Sequence, residues 1–286
     1  LITPAIETID NIYDKIKLLK LAERIQIPIP KTYVYDDLKF NESSCINYPV
    51  LTKGRNGLSF YKKMKKKVLV SKDKNELLKK IEMIKNHMTL DRVFTQEIIR
   101  NNGSNKTTSF TSFSVNGEIK THWMGEKIRE HPIQFGTATY VRSVYEKELL
   151  GYSCRLIQEL NYTGICEIEY LKDPLDEQYK LIEINPRTWL WVGLAAADGI
   201  NYAKIAYDFV HGKPIDYPKT YNVESYWYNP FTDWVYSLKA IVTNKLSIKA
   251  FIRSICKKKE NALFKAGDIK PGLFYIMNVF NFYKNR

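Results

Sequence analysis

Gly164-Ile165-Cys166-Glu167-Ile168-Glu169-Tyr170, followed by Lys180-Leu181-Ile182-Glu183-Ile184-Asn185-Pro186-Arg187, is the part of the sequence that decides the fold. Both runs alternate polar and apolar residues with the period of two that marks a strand. Glu167 and Glu169 therefore share a face, as do Glu183 and Asn185, while Ile168, Ile182 and Ile184 point the other way into a core. Asp173-Pro174-Leu175-Asp176 supplies a turn between the runs. Paired as a hairpin, the strands gather the Glu169 and Glu183 carboxylates and the Asn185 amide oxygen on one side. Three hard oxygen donors on a rigid sheet, with room for further oxygens, are what Mg²⁺ requires, with Mn²⁺ as a substitute. Arg187 follows Asn185 closely and is fit to hold a carboxylate or a developing oxyanion. A plain hairpin with one solvated face is the competing reading. Acids that interrupt two strongly apolar strands just ahead of Asn-Pro-Arg favour a built site.

Around this hairpin, apolar spacing predicts a helix over residues 10–25, capped by Asp10 and stopped by Pro28 and Pro30. A strand at 48–52 opens on a turn at Gly54-Arg55-Asn56-Gly57. Another strand, 68–70, precedes a helix over 75–87. Residues 92–99 and 109–115 read as strands, and Val115-Asn116-Gly117-Glu118 is a hairpin turn. A helix over 146–160 precedes the acidic hairpin, helices account for much of 190–212, and 222–286 read as helical with a break at Asp268-Ile269-Lys270-Pro271-Gly272. Strands and helices alternate without the rhythm of repeated βαβ units, so the class is α+β.

Composition narrows the function. A chain of 286 residues with 44% hydrophobic residues has material for one large unit or two packed lobes. It has no uncharged apolar run long enough to span a membrane. Cys45, Cys154, Cys166 and Cys256 lie far apart without a CxxC pair, which suggests neither a zinc site nor a disulfide framework and fits a reducing cytoplasm. The net charge of +13 is concentrated in 51–80 and in 238–286, each with eleven Lys/Arg against two acids. Such patches attract phosphates, anionic lipid or nucleic acid. Aromatic and basic residues are not interleaved in a nucleic-acid-binding motif, so no nucleic-acid partner is expected.

A carboxylate-bound metal serves phosphate chemistry when cations balance the remaining charge. Lys15 on the first helix, Lys53 at the end of Tyr48-Pro49-Val50-Leu51-Thr52, and Lys127 in Glu126-Lys127-Ile128-Arg129-Glu130-His131-Pro132 are the candidates. Most lysines in so basic a chain are simply solvated. Lys53 differs because it emerges from a buried strand. In Thr95-Gln96-Glu97-Ile98-Ile99 the backbone of a strand end can offer an N–H and a C=O to an adenine edge.

Taken in order, Asp14-Lys15, Ile27-Pro28-Ile29-Pro30-Lys31-Thr32, Tyr48-Pro49-Val50-Leu51-Thr52-Lys53, Gln96-Glu97-Ile98-Ile99, and Glu169 with Glu183-Ile184-Asn185-Pro186-Arg187 resemble the ATP-grasp superfamily. The resemblance implies two α+β lobes gripping ATP, a first lobe over 33–97 and a second, with the metal site, over 98–215. Residues 1–32 would be a leading helix and linker, the rest of an N-terminal lobe being absent, and 216–286 a basic, aromatic, mostly helical extension. It further implies that Lys15, Lys53 and Lys127 contact phosphates, and that Gln96, Glu97, Ile98 and Ile99 form the adenine hinge. Glu169, Glu183 and Asn185 would bind Mg²⁺, and Arg187, with Lys127, would serve catalysis. Lys127-Ile128-Arg129-Glu130-His131-Pro132 with Gly136-Thr137-Ala138-Thr139, and the lysine-rich 61–67, make the chain similar to D-aspartate ligases and to ATP-grasp proteins of cell-surface glycan synthesis. The implied activity is a carboxylate–amine ligase working through an acyl phosphate on small-molecule substrates. The alternative is a degenerate nucleotide-binding module without ligase activity. Three departures stand out: the missing N-terminal lobe, a glycine loop reduced to Gly54 and Gly57, and Asn101-Asn102-Gly103-Ser104 with no acid for the ribose. The extension suits packing on the lobes, the preferred reading, or lying on an anionic membrane at its inner face.

Overall fold

In the computed structural model residues 2–35, 46–99, 107–131 and 136–284 are described. Cys45, Pro132 and Asn101-Asn102-Gly103-Ser104 lie outside the described residues. The chain divides into two compact units, the first of residues 1–106, 114–119 and 147–187 and the second of 107–113, 120–146 and 188–286. Both mix helices with largely antiparallel strands, residues 226–228 and 259–261 of the second unit pairing in parallel, and the class is α+β as the sequence implies.

The first unit begins with α1 (Ile6–Tyr13), α2 (Lys15–Arg24), β1 (Thr32–Val34), β2 (Val50–Gly54), α3 (Gly57–Met64), β3 (Leu69–Ser71), α4 (Lys74–Lys85) and β4 (Val93–Glu97). Three strands follow, β5 (Thr107–Val115), β6 (Glu118–His131) and β7 (Thr137–Ser143). Then come α5 (Lys147–Glu159) and the hairpin of β8 (Gly164–Lys172) with β9 (Tyr179–Asn185). The single helix expected over 10–25 is two. The Asp14 carboxylate accepts from the Ile16 and Lys17 N–H groups and so caps α2, while Asp10 sits inside α1. A short carboxylate that bonds its own backbone competes with the helix and restarts it. The lysine run 61–67 is partly helical too: Asn56 caps α3 through the Ser59 N–H, and Lys65 ends it at φ 54°.

In the first unit the strands run β1-β4-β2-β3, each antiparallel to its neighbour. Alternation sends Val50 and Val93 into a core with Phe60 of α3 and Leu77, Ile81 and Ile84 of α4. Phe94 points to the other face, against Ile16 and Leu19 of α2. Burial of such side chains contributes about 1.5–3 kcal/mol each, which fixes α2 across the back of this sheet. The Leu181 N–H donates to the Pro28 carbonyl at 2.8 Å and so seats β9 against the segment that follows α2. The predicted hairpin turn holds: Asn116 (φ 49°) and Gly117 (φ 78°) both adopt the left-handed region that a two-residue turn needs.

The second unit carries β5, β6 and β7, then α6 (Val192–Ala197), α7 (Tyr202–Val210), β10 (Tyr226–Tyr228), α8 (Pro230–Val242), α9 (Ile248–Ile255), β11 (Lys259–Asn261) and α10 (Lys270–Lys284). Its strands run β11-β10-β7-β6-β5. The short strands β10 and β11 interrupt a region expected to be mostly helical. Tyr226-Trp227-Tyr228 is an aromatic strand former, and it pairs with residues 140–142 of β7. Trp123 of β6 is fully buried among Trp189 and Trp191 and donates its indole N–H to Asp198 at 2.8 Å. Among the described residues no helix is long and apolar enough to cross a membrane.

Candidate functional site

The β8–β9 register sets Glu167 opposite Asn185 and Glu169 opposite Glu183. Directly opposed residues of an antiparallel pair share a face, so the four side chains stand on one side of the hairpin. Cys166, Ile168 and Ile184 fill the other side and are buried. A register irregularity follows Glu169, after the acids have been placed. The Asn185 amide donates to Glu167 Oε2 at 3.2 Å and to Glu183 Oε1 at 3.5 Å, and Arg187 Nη2 donates to Asn185 Oδ1 at 3.4 Å.

Lys15, the first residue of α2, reaches this face. Its ammonium donates to Glu183 Oε2 at 2.5 Å although 168 residues separate the two. Lys53 on β2 lies 5.2 Å from the centroid of the buried Phe94 ring. Burial pushes its amine down to about 7, with the Lys15 charge adding to the fall and Glu183 opposing it. Lys15, Lys53 and Glu183 thus interact electrostatically inside the first unit.

Two further features of this region were not assigned to the site by the sequence reading, the Arg55–Asp14 pair and Glu167. Arg55 forms a two-pronged ion pair with Asp14, Nε to Oδ1 at 3.0 Å and Nη2 to Oδ2 at 2.6 Å. The Lys15 N–H also donates to the Arg55 carbonyl at 3.0 Å. The start of α2 is therefore pinned to the turn two residues beyond Lys53. This arrangement holds Asp14 below the usual carboxylate range despite burial, through the Arg55 hydrogen bond and charge and the α2 N–H groups. Glu167 is the second omission. It is 3% exposed and bonded to Asn185, and the alternation already placed it on the acidic face.

At the strand end read as a hinge, the side chains are committed to the fold. Gln96 Nε2 donates to Thr32 Oγ1 at 2.9 Å. The Glu97 carboxylate accepts from the Tyr33 hydroxyl at 2.5 Å and from Asn47, with Lys31 nearby at 3.6 Å. The N–H groups of Glu97 and Ile98 donate to the carbonyls of Lys31 and Pro49. Ile99 closes the described segment. Lys127 belongs to the second unit, on β6 opposite Val141, where the register shifts.

The acceptors on the β8–β9 face are carboxylate and amide oxygens, the hard donors that suit Mg²⁺, and one of them already binds a cation, the Lys15 ammonium. Among the described residues no three His, Cys, Asp or Glu side chains close on a single point. An ion here would thus depend on oxygens from another molecule to complete its shell.

Residues 112–216 match the family model described as carbamoyl-phosphate synthase L chain, ATP binding domain. The chain is similar to the D-aspartate ligase of Enterococcus faecium, 21% identical over 216 residues, which cover 72% of this chain and 51% of that one. It spans about half the length of that relative. Among solved structures, biotin carboxylase from Campylobacter jejuni, in complex with βγ-ATP, superimposes with a TM-score of 0.63 at 15% identity, over 78% of this chain and 51% of that one. L-amino acid ligase from Bacillus licheniformis gives 0.51 at 16% identity, over 70% and 48%.

Proposed function

We propose that this chain, similar to D-aspartate ligase and, over residues 112–216, to the ATP-binding domain of the carbamoyl-phosphate synthase L chain, is an ATP-grasp protein that uses ATP with Mg²⁺ to join a small-molecule carboxylate to an amine. The observation that carries the proposal is the Lys15–Glu183 pair, whose two charges both act on the Lys53 amine. Glu169, Glu183 and Asn185, with Glu167 behind them, would hold Mg²⁺. The bound ion would neutralise charge on the polyphosphate. Lys15 and Lys53 would release their protein contacts to phosphate oxygens, and Lys127 would add a third cation. With the Glu97 and Ile98 N–H groups already bonded, an adenine N–H contact falls to Ile99.

In the proposed reaction a carboxylate oxygen bonds to the γ-phosphorus as the bond to the bridging oxygen breaks, and ADP leaves. The amine nitrogen then attacks the acyl carbon of the acyl phosphate, phosphate departs, and the nitrogen loses a proton. Arg187, held at Asn185, would stabilise the oxyanion of that second step. One such donor is worth about 3–4 kcal/mol in other enzymes. The likeness to D-aspartate ligase makes amino acids the first substrates to try.

An ADP-release assay over amino acids and carboxylates tests the reading. Turnover is expected with Mg²⁺ and one acid–amine pair, to be lost in Glu183→Gln and cut at least a hundredfold in Arg187→Ala, with ATP binding retained in the latter. ATP binding without ADP release for any pair would favour the non-catalytic module.

A further inference from the structure

Helix α8 is turned inside out. Its buried residues are Thr232, Asp233 and Ser237, and Asp233 is gripped by Arg129 of β6 at 2.6 and 2.7 Å and by the Thr139 hydroxyl at 3.1 Å. Its outward stripe, spaced four residues apart, is Trp234, Leu238 and Val242, exposed by 50%, 54% and 84%. Helix α9 repeats the arrangement. Phe251 and Ser254 face inward, while Ile248, Ile252 and Ile255 form an exposed row. On a helical projection Lys249 and Arg253 run along one edge of that row. The Trp234 and Phe251 rings meet edge to face at 6.4 Å, so the two helices adjoin. Helix α10 adds the exposed Phe274 and Met277.

A run of exposed apolar rows on neighbouring helices marks a surface that something covers. We propose that this face docks on a lipid bilayer carrying anionic headgroups, with α8 and α9 lying in the plane of the interface. Charge decides the occupant. Residues 238–286 carry eleven Lys/Arg against two acids. A second copy of the chain would set this charge against itself, and lysine is depleted at the centre of protein interfaces. An anionic bilayer takes the apolar rows into its acyl boundary and the flanking lysines among its headgroups. At 13 and 8 residues, α8 and α9 are far too short to cross it.

The test is co-sedimentation of the full chain with phosphatidylcholine vesicles, with and without phosphatidylglycerol. Binding is expected only with phosphatidylglycerol, weakening as salt rises. A blue shift of tryptophan emission should accompany it and be absent in Trp234→Phe. Lys249→Gln with Arg253→Gln should weaken binding roughly fivefold per charge removed. Leu238→Ser with Ile252→Ser should weaken it further at unchanged circular dichroism, since all four residues are exposed. Equal binding to neutral vesicles, or none to either, overturns the proposal. A Trp234 shift that requires protein concentration alone assigns the face to a second copy and equally overturns it.

Discussion

Burial and the Lys15 ammonium push the Lys53 amine down to about 7, against the pull of Glu183. Its ordinary value is 10.5, so between about 7 and 10.5 the unfolded chain binds a proton that the fold does not. Stability therefore rises with pH across that window and is lowest where Lys53 is charged. Lys53→Met, which removes the buried charge, should raise the Tm relative to the parent more at pH 6 than at pH 9. A difference of the opposite sign in a pH series of melting curves would refute the depressed amine. A triphosphate arriving at Lys53 favours the ammonium, so nucleotide binding near pH 8 should take up about one proton, and affinity should fall as pH rises above 7. Calorimetric titrations in buffers of different ionisation enthalpy measure that uptake, which Lys53→Met should abolish. The acidic face of the hairpin was legible in the sequence because the strand period of two is a local signal. The partnership of Lys15 with Glu183 was not, since nothing local links positions 168 residues apart.

Two helix starts show how elements carry the site. Asp14 both caps α2 and holds Arg55, so Asp14→Ala removes a cap worth about 1 kcal/mol and a partly exposed ion pair worth about 0–1 kcal/mol. Chemical denaturation should show a loss of about 1–2 kcal/mol. Nucleotide affinity should drop as well, because Lys15 loses its tie to the turn after Lys53. A stability loss with affinity unchanged would leave Asp14 a cap and nothing more. At α8 the stakes are higher: Asp233 is 3% exposed and neutralises Arg129, itself largely buried. Asp233→Ala strands that guanidinium and should cost about 3–5 kcal/mol, whereas replacing both partners with apolar residues of similar size should cost far less. Thermal melts of the single and double variants separate the cases. Most elements were readable from periodicity and turn residues, including the turn at Asn116-Gly117. The errors fall where a side chain overrides the pattern. Asp14 splits one helix into two, and Asn56 starts a helix out of the predicted turn at Gly54-Arg55-Asn56-Gly57. Tyr226-Trp227-Tyr228 makes a strand where β7 and β11 pair with it on either side.

At the scale of the molecule, the chain crosses five times between its two compact units, at residues 106, 113, 119, 146 and 187. Hydrophobic periodicity carries no trace of such interleaving, because it follows from contacts between distant segments. The sequence-level resemblance did carry the fold, since its motifs are ordered along the chain. The division has a measurable consequence. Every residue proposed for nucleotide or metal lies in the first unit except Lys127, and the apolar-basic helices all lie in the second. Magnesium–ATP and anionic vesicles should therefore leave different footprints in hydrogen exchange. At nucleotide one hundredfold above its Kd, stabilisation is about 2.7 kcal/mol, read as slowed exchange in β2, β4, β8 and β9. Vesicles should slow α8 and α9 and leave the acidic hairpin unchanged. Lys127 joins the nucleotide footprint only if it binds phosphate. A charged hydrogen bond contributes about 1.5–3 kcal/mol, so Lys127→Met should weaken ATP binding about ten- to a hundredfold. An unchanged Kd would remove Lys127 from the site while leaving the four side chains on the hairpin untouched, and protection by nucleotide confined to α8–α10 would remove the hairpin itself.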